Sequence, residues 1–156
     1  MSQEHSPSPA ATATPTKPRV IGLVCERSVH FTDQVDAQHH LLDHPEVKII
    51  PVPCSGHIQP IMIETALKNG AEGVFALGCR IGDCHYRDGN RFCRERLLGE
   101  RMPKLKPNVD KRRVQAFWLS AIEYDLFNQL LVNFLEELAA LDQSAAAPTA
   151  AGGIRP

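Results

Sequence analysis

The chain is expected to form a single α/β domain, a four-stranded parallel sheet with helices on both faces. Three observations lead there. Short apolar runs rich in β-branched residues alternate with longer amphipathic stretches in the order βαβαβαβα. No hairpin signal such as Asn-Gly directly joins two neighbouring strands. The strand runs are also near-continuously apolar, as strands covered on both faces must be. Right-handed crossovers then follow, and the flavodoxin-like strand order 2-1-3-4 is the expected arrangement.

Arg19–Cys25 (RVIGLVC) is the first strand, apolar and preceded by a proline. Thr32–Asp43 is assigned to a helix with Thr32 as N-cap, although its apolar spacing is poor. Val47–Val52 (VKIIPV) is the second strand, and Pro51 suggests an edge position because it cannot donate to a ladder. Ile58–Asn69 reads as a helix, with Ile61, Met62, Ala66 and Leu67 along one face and Gly70 closing it. Gly73–Cys79 (GVFALGC) is the clearest buried strand. Asp88–Arg101 is expected to be helical with Phe92, Leu97 and Leu98 inward, followed by a basic, proline-containing loop over Met102–Arg112. Val114–Leu119 (VQAFWL) is the fourth strand. Ile122–Leu141 carries the strongest helical stripe, from Ile122 and Leu126 through Phe127, Leu131, Phe134 and Leu138 to Leu141.

Composition narrows the function. Residues 1–18 (Ser, Pro, Ala, Thr) and 143–156 (small residues with Pro and Gly) read as disordered tails around a domain at 19–142. The first residues lack the basic start and apolar run of a signal peptide. No apolar run approaches the ~20 residues of a membrane span. A net charge of −1 gives no reason to expect nucleic acid or an anionic membrane as partner. Five cysteines, an odd number without a secretory leader, argue against a disulfide framework and for a cytoplasmic protein.

The densest stretch is LGCRIGDCHYRDGN, Leu77–Asn90, with two cysteines, a histidine and three glycines. Placed on the expected topology, Cys25 ends the first strand, Cys54 follows the second, and Cys79 ends the third with Cys84 in the loop beyond. All strands of a parallel sheet end on one side, so the four sulfurs are expected to share the rim where such sheets bind ligands. Four thiolates there suit a tetrahedral zinc ion or an iron–sulfur cluster. Their separations of 29, 25 and 5 positions lack the paired C-x-x-C knuckles of structural zinc, and a two-iron core tolerates the spread better. A regulatory Cys79–Cys84 disulfide without metal is the third reading. Cys93, inside a helix, reads as a small buried residue. Gly56, Gly78, Gly82 and Gly89 would let backbone N–H groups approach a cluster, while turn punctuation explains some of them equally. His85 is a candidate ligand or hydrogen-bonding neighbour; His30 and His57 follow the first two strands at the same rim. A phosphate loop is excluded, because GCRIGDC lacks the lysine and Ser/Thr that it requires.

PCSGHIQP at Pro53–Pro60, GAEGVFALGCRIGDCHYRDGN at Gly70–Asn90 and WLSAIE at Trp118–Glu123 resemble the methyl-viologen-reducing hydrogenase delta subunit family, from about Val20 to Leu141. The resemblance implies a [2Fe–2S] cluster on a small α/β fold. It also implies electron transfer between a hydrogenase, formate dehydrogenase or similar oxidoreductase and a flavin-containing heterodisulfide-reductase A-like subunit, in flavin-based electron-bifurcating complexes. Carried over by motif, the implied ligands are Cys25, Cys54, Cys79 and Cys84. The family often has C-x-x-C after the first strand, whereas this chain has Cys25-Glu-Arg-Ser28. Cys25 is therefore expected as the ligand there, with Cys93 as the alternative.

Overall fold

The computed structural model describes residues 19–146. The expected tails fall almost wholly outside that range, and α3 below runs four residues past the expected domain end at 142. The strands are β1 (Val20–Cys25), β2 (Val47–Val52), β3 (Gly73–Gly78) and β4 (Val114–Trp118), all parallel, in the order β2-β1-β3-β4. The helices are α1 (Pro60–Lys68), α2 (Gly89–Leu98) and α3 (Tyr124–Ala146), with 3-10 turns at Ser55–His57 and Lys111–Arg113.

Side-chain alternation along the strands gives the sheet two cores. On one face Val20, Val24, Val47, Ile49, Phe75, Leu77 and Phe117 pack against Phe127, Leu131, Phe134 and Leu138 of α3. On the other, Leu23, Val52, Val74 and Ala76 meet Ile58, Ile63, Cys93 and Leu105, so α1 and α2 share that face. Each fully buried aliphatic or aromatic side chain contributes about 1.5–3 kcal/mol relative to exposure.

Three local expectations are corrected. Thr32–Asp43 is not a helix but a run of turns and bridges. Asp36 Oδ1 accepts from the N–H groups of Gln38 and His40 at 2.9 and 2.8 Å, and His39 takes φ 66°. This Asx-type turn satisfies the backbone locally and competes with helix. The segment and the residues just before it complete the α3-side core: Leu41 and the preceding Val29 are buried there, and Phe31 packs edge-on to Phe127 with ring centroids 5.0 Å apart. In α2, Leu97 packs against the core as expected, but the fully buried residues are Asn90 and Cys93, and Leu98, the last residue before the αL cap Gly99 at φ 81°, is 53% exposed. Ile122 precedes α3 and is 93% exposed.

Pro51 marks an edge strand, as expected, since β2 pairs only with β1. The outer edge of β2 is closed by the preceding segment: Ile49 N–H donates to His39 O at 2.8 Å and Leu41 N–H to Val47 O at 3.0 Å. Pro51 shares the outward parity of Val47 and Ile49, so its missing N–H costs no bond to β1.

Gly22 lies in β1 beneath the Phe75 ring, and a Cβ there would come within 2.3 Å of Phe75 Cζ. Phe75 is fully buried and cannot swing aside. Gly22→Ala is expected to destabilise the fold by about 1–3 kcal/mol through overpacking, read as a lower midpoint of urea unfolding. An unchanged midpoint would show that the two strands can separate locally.

Candidate metal centre

The strand registers dictate what meets at the C-terminal rim. Cys25 pairs with Val52 across β1 and β2, which sets Cys54 just beyond the same edge. Val24 pairs with Leu77 across β1 and β3, so Cys79 emerges one residue past the level of Cys25. Cys84 returns to this rim through the turn Cys84–Arg87, in which Arg87 N–H donates to Cys84 O at 3.0 Å.

The four sulfurs form two pairs. Cys25 Sγ lies 4.0 Å from Cys79 Sγ, and Cys54 Sγ lies 3.9 Å from Cys84 Sγ. The two cysteines of the 77–90 stretch thus belong to different pairs, each completed from a neighbouring strand. All are free thiols, and Cys79–Cys84, the disulfide considered from spacing, is not the close pairing. Two thiolates on one tetrahedral ion with metal–sulfur bonds near 2.3 Å stand ~3.8 Å apart, so either pair can take one metal ion. Among the described residues, no group of three or more His, Cys, Asp or Glu side chains closes around a single point.

Burial and hydrogen bonding treat the thiols unequally. Cys25, Cys54 and Cys79 are buried and Cys84 is part-exposed. Burial, then the neighbouring Cys25, pushes the Cys79 thiol up to about 12. Cys54 is also raised, by burial first, against an opposing N–H from Gly56 at 3.4 Å. Burial acts to raise Cys84 too, but the N–H groups of Asn90, Tyr86 and Gly89 outweigh it and hold this thiol below its ordinary value. A cation bound here would displace protons from the raised thiols, so its affinity rises with pH.

The glycines have separate reasons. A Cβ on Gly89 would lie 2.3 Å from Cys54 Sγ and 3.3 Å from Cys84 Sγ. One on Gly56 would lie 2.8 Å from Gly89 Cα, so these two residues let α2 dock on the Ser55–His57 turn. Gly78 is held small by Ser55 Oγ at 2.7 Å and Trp118 at 2.8 Å, which is strand–loop packing. Gly82 has open space around it and φ +99°, so the turn's backbone requires it. His85, His57 and His30 are all exposed at this rim, and the sulfurs meet without them. Cys93 is fully buried in the α1–α2 core, where burial pushes its thiol up to about 12.

Sequence reading did not single out the residues that brace the rim. Asn90 is 1% exposed, and its side-chain amide donates to the carbonyls of Cys79 and Arg80 at 3.0 and 2.8 Å. Ser28, three residues after Cys25, is fully buried and donates to Cys25 O at 2.6 Å. Arg96 of α2 donates to Gly56 O at 2.9 Å and tethers the turn after Cys54. Arg80 pairs with Glu123, joining the loops after β3 and β4, with Arg80 Nε 2.9 Å from Glu123 Oε2. Arg80 first, then the Ser120 N–H, hold the Glu123 carboxyl at about 2. Nothing in the local sequence distinguishes these polar residues from surface ones; only the closeness of Asn90 to the cysteine loop hinted at a role.

The site is thus a parallel α/β sheet whose C-terminal rim gathers four thiols in two close pairs. The chain belongs to the family described as methyl-viologen-reducing hydrogenase, delta subunit, whose pattern it matches over residues 20–142. It is 32% identical over 120 residues to the iron-sulfur D subunit of the F420-non-reducing hydrogenase of Archaeoglobus profundus, covering 76% of this chain and 86% of that one. The iron-sulfur D subunit of the vhc F420-non-reducing hydrogenase of Methanococcus voltae is likewise 32% identical, over 127 residues, 80% of this chain and 87% of the relative. The chain is also 30% identical over 132 residues to the A subunit of the ferredoxin:CoB-CoM heterodisulfide reductase of Methanosarcina mazei. There the match spans 83% of this chain but only 16% of that protein. The same domain therefore occurs both as a separate chain and as part of a larger one. Among the described residues no helix is long and apolar enough to cross a membrane.

Asn90→Ala would strand two carbonyls at the cysteine loop and is expected to cost about 1–3 kcal/mol, measured by urea unfolding. For Glu123, whose pKa is depressed, the pair with Arg80 holds above the ordinary carboxylate range and is lost as pH falls through about 2. An NMR titration of Glu123 should find that midpoint, and Arg80→Ala should move it up toward the usual ~4.3.

Proposed function

We propose that Cys25, Cys54, Cys79 and Cys84 hold one [2Fe–2S] cluster and that the chain is an electron-transfer protein. The observation that carries this reading is the division of the four rim sulfurs into two pairs at 4.0 and 3.9 Å, one pair for each of two irons. When bound, such a group supplies one-electron redox chemistry. The chain's own part is to hold the sulfurs at the rim, bring backbone N–H groups to them and keep most of the group out of water. Family membership and the iron–sulfur names of the hydrogenase relatives support the same reading.

The proposed partners are a heterodisulfide-reductase A-like flavoprotein and an oxidoreductase such as a hydrogenase or formate dehydrogenase, within a flavin-based electron-bifurcating complex in the cytoplasm. Occurrence of this domain inside the A subunits of heterodisulfide reductases supports the first of these. A chain that is fused to a function in one organism commonly docks to it in another. The structural-zinc reading is less well supported, because no three ligands close around one point among the described residues. The Cys79–Cys84 redox sensor lacks the close pairing that it needs.

Anaerobic purification followed by iron and sulfide analysis, visible absorption and EPR tests the reading. Two irons and two sulfides per chain, with an EPR signal on one-electron reduction, are expected. A colourless, zinc-loaded or metal-free protein overturns it. Alanine at Cys54, Cys79, Cys84 or Cys25 is expected to abolish the cluster, while Cys93→Ala retains it. Bleaching by Cys93→Ala with retention in Cys25→Ala would reassign the fourth ligand.

A further inference from the structure

The two thiol pairs differ in what surrounds them. At the Cys54/Cys84 end, Gly56 N–H donates to Cys54 Sγ at 3.4 Å. Gly89 and Asn90 are the first residues of α2, a ten-residue helix, so the positive end of its dipole faces this end. Gly89 also lies directly against both sulfurs of this pair. Cys84 is part-exposed, which adds solvent polarisation.

The Cys25/Cys79 end has an equal N–H donor but is more deeply buried, faces a carbonyl and has no helix N-terminus against it. Cys25 Sγ accepts one N–H, from Arg27 at 3.4 Å, and faces the Pro53 carbonyl oxygen at 4.0 Å, a dipole that disfavours added negative charge. Among the described residues Cys79 Sγ has only Cys25 Sγ as a partner. Both residues are buried, at 2% and 5% exposure. The formal charges nearby do not reverse this ranking. Glu26 and Arg27 beside Cys25, and Asp83, His85, Arg87 and Asp88 around Cys84, are exposed or only partly buried and of mixed sign, so screening leaves the α2 dipole and the difference in burial dominant.

Reduction adds one negative charge to the centre without making or breaking a bond. The charge settles where donors and solvent stabilise it best. We infer that Cys54 and Cys84 hold the reducible end of the centre: the added electron resides on the iron between them, while the iron between Cys25 and Cys79 stays ferric. This rests on the cluster reading above. Its corollary is a single electron port, at the face formed by the turn Cys84–Arg87 and by Ile81 and Tyr86, which are 45% and 57% exposed.

The experiment is paramagnetic proton NMR of the full chain, purified anaerobically and reduced by dithionite, which supplies the one electron. Cysteine β-protons on a ferric site show large shifts that fall on warming. Those on a ferrous site, coupled to it, show small shifts that grow on warming. The signals are assigned from single Cys→Ser variants. Where a variant loses the centre, Overhauser contacts from the wild-type signals to Gly56 and Gly89 mark the Cys54/Cys84 end instead. The expected result is ferrous behaviour for Cys54 and Cys84 and ferric behaviour for Cys25 and Cys79. The reverse assignment, or four signals of one type, overturns the inference while leaving the cluster intact. Absence of any [2Fe–2S] absorption or EPR signal is a failure of the underlying cluster reading.

Discussion

The parallel pairing of β1 between β2 and β3 is the constraint from which the rest of the molecule follows. It brings three strand ends to one level, so that residues separated by tens of positions in the chain become neighbours at the rim. Register then selects which sulfurs meet. The pairing of Cys25 with Val52 and of Val24 with Leu77 leaves Cys25 beside Cys79, and gives Cys54 to the returning Cys84 loop. A shift of one residue in either ladder would turn the strands' apolar side chains onto the wrong face, so two hydrophobic cores enforce the positions of the thiols.

That link between core and rim explains what was legible in the sequence. The strand runs, the apolar stripe of α3 and the gathering of four cysteines on one edge are all consequences of periodicity and parallel topology. The helix expected over Thr32–Asp43 failed because no apolar residue stands three or four positions after Val35, where Gln38 and His39 fall, and the Asp36 side chain offers the backbone a turn in its place. At α3, Ser120 donates its N–H and its hydroxyl to the Glu123 carboxylate at 2.7 and 2.9 Å, and the helix begins after that contact, leaving Ile122 outside. Sequence patterning identified which cysteines share the rim but not how they divide into pairs. That division depends on register and on the return of the 84–87 turn, neither of which leaves a periodic signal.

The bracing residues show the same limit from another side. Asn90, Ser28 and Arg96 are polar, and in a sequence they look like surface residues. In the fold each satisfies backbone carbonyls of a cysteine-bearing loop. Buried polar groups of this kind cost stability unless fully bonded, and they hold loop geometry more tightly than apolar packing does. α2 is the common support: it carries Asn90 and Arg96 and places Gly89 against two sulfurs. The helix is thus as much a part of the centre as the strands that end there.

The segment that replaces the expected first helix also governs how this chain can join others. By donating and accepting along β2, His39 and Leu41 occupy main-chain groups that an edge strand ordinarily leaves open. A neighbouring protein therefore finds no ready template for extending the sheet on that flank. Contacts there must be made through side chains, and two copies meeting in solution gain little from aligning strands. With that flank sealed by the chain's own backbone, shape and charge rather than strand pairing decide what can meet the domain there.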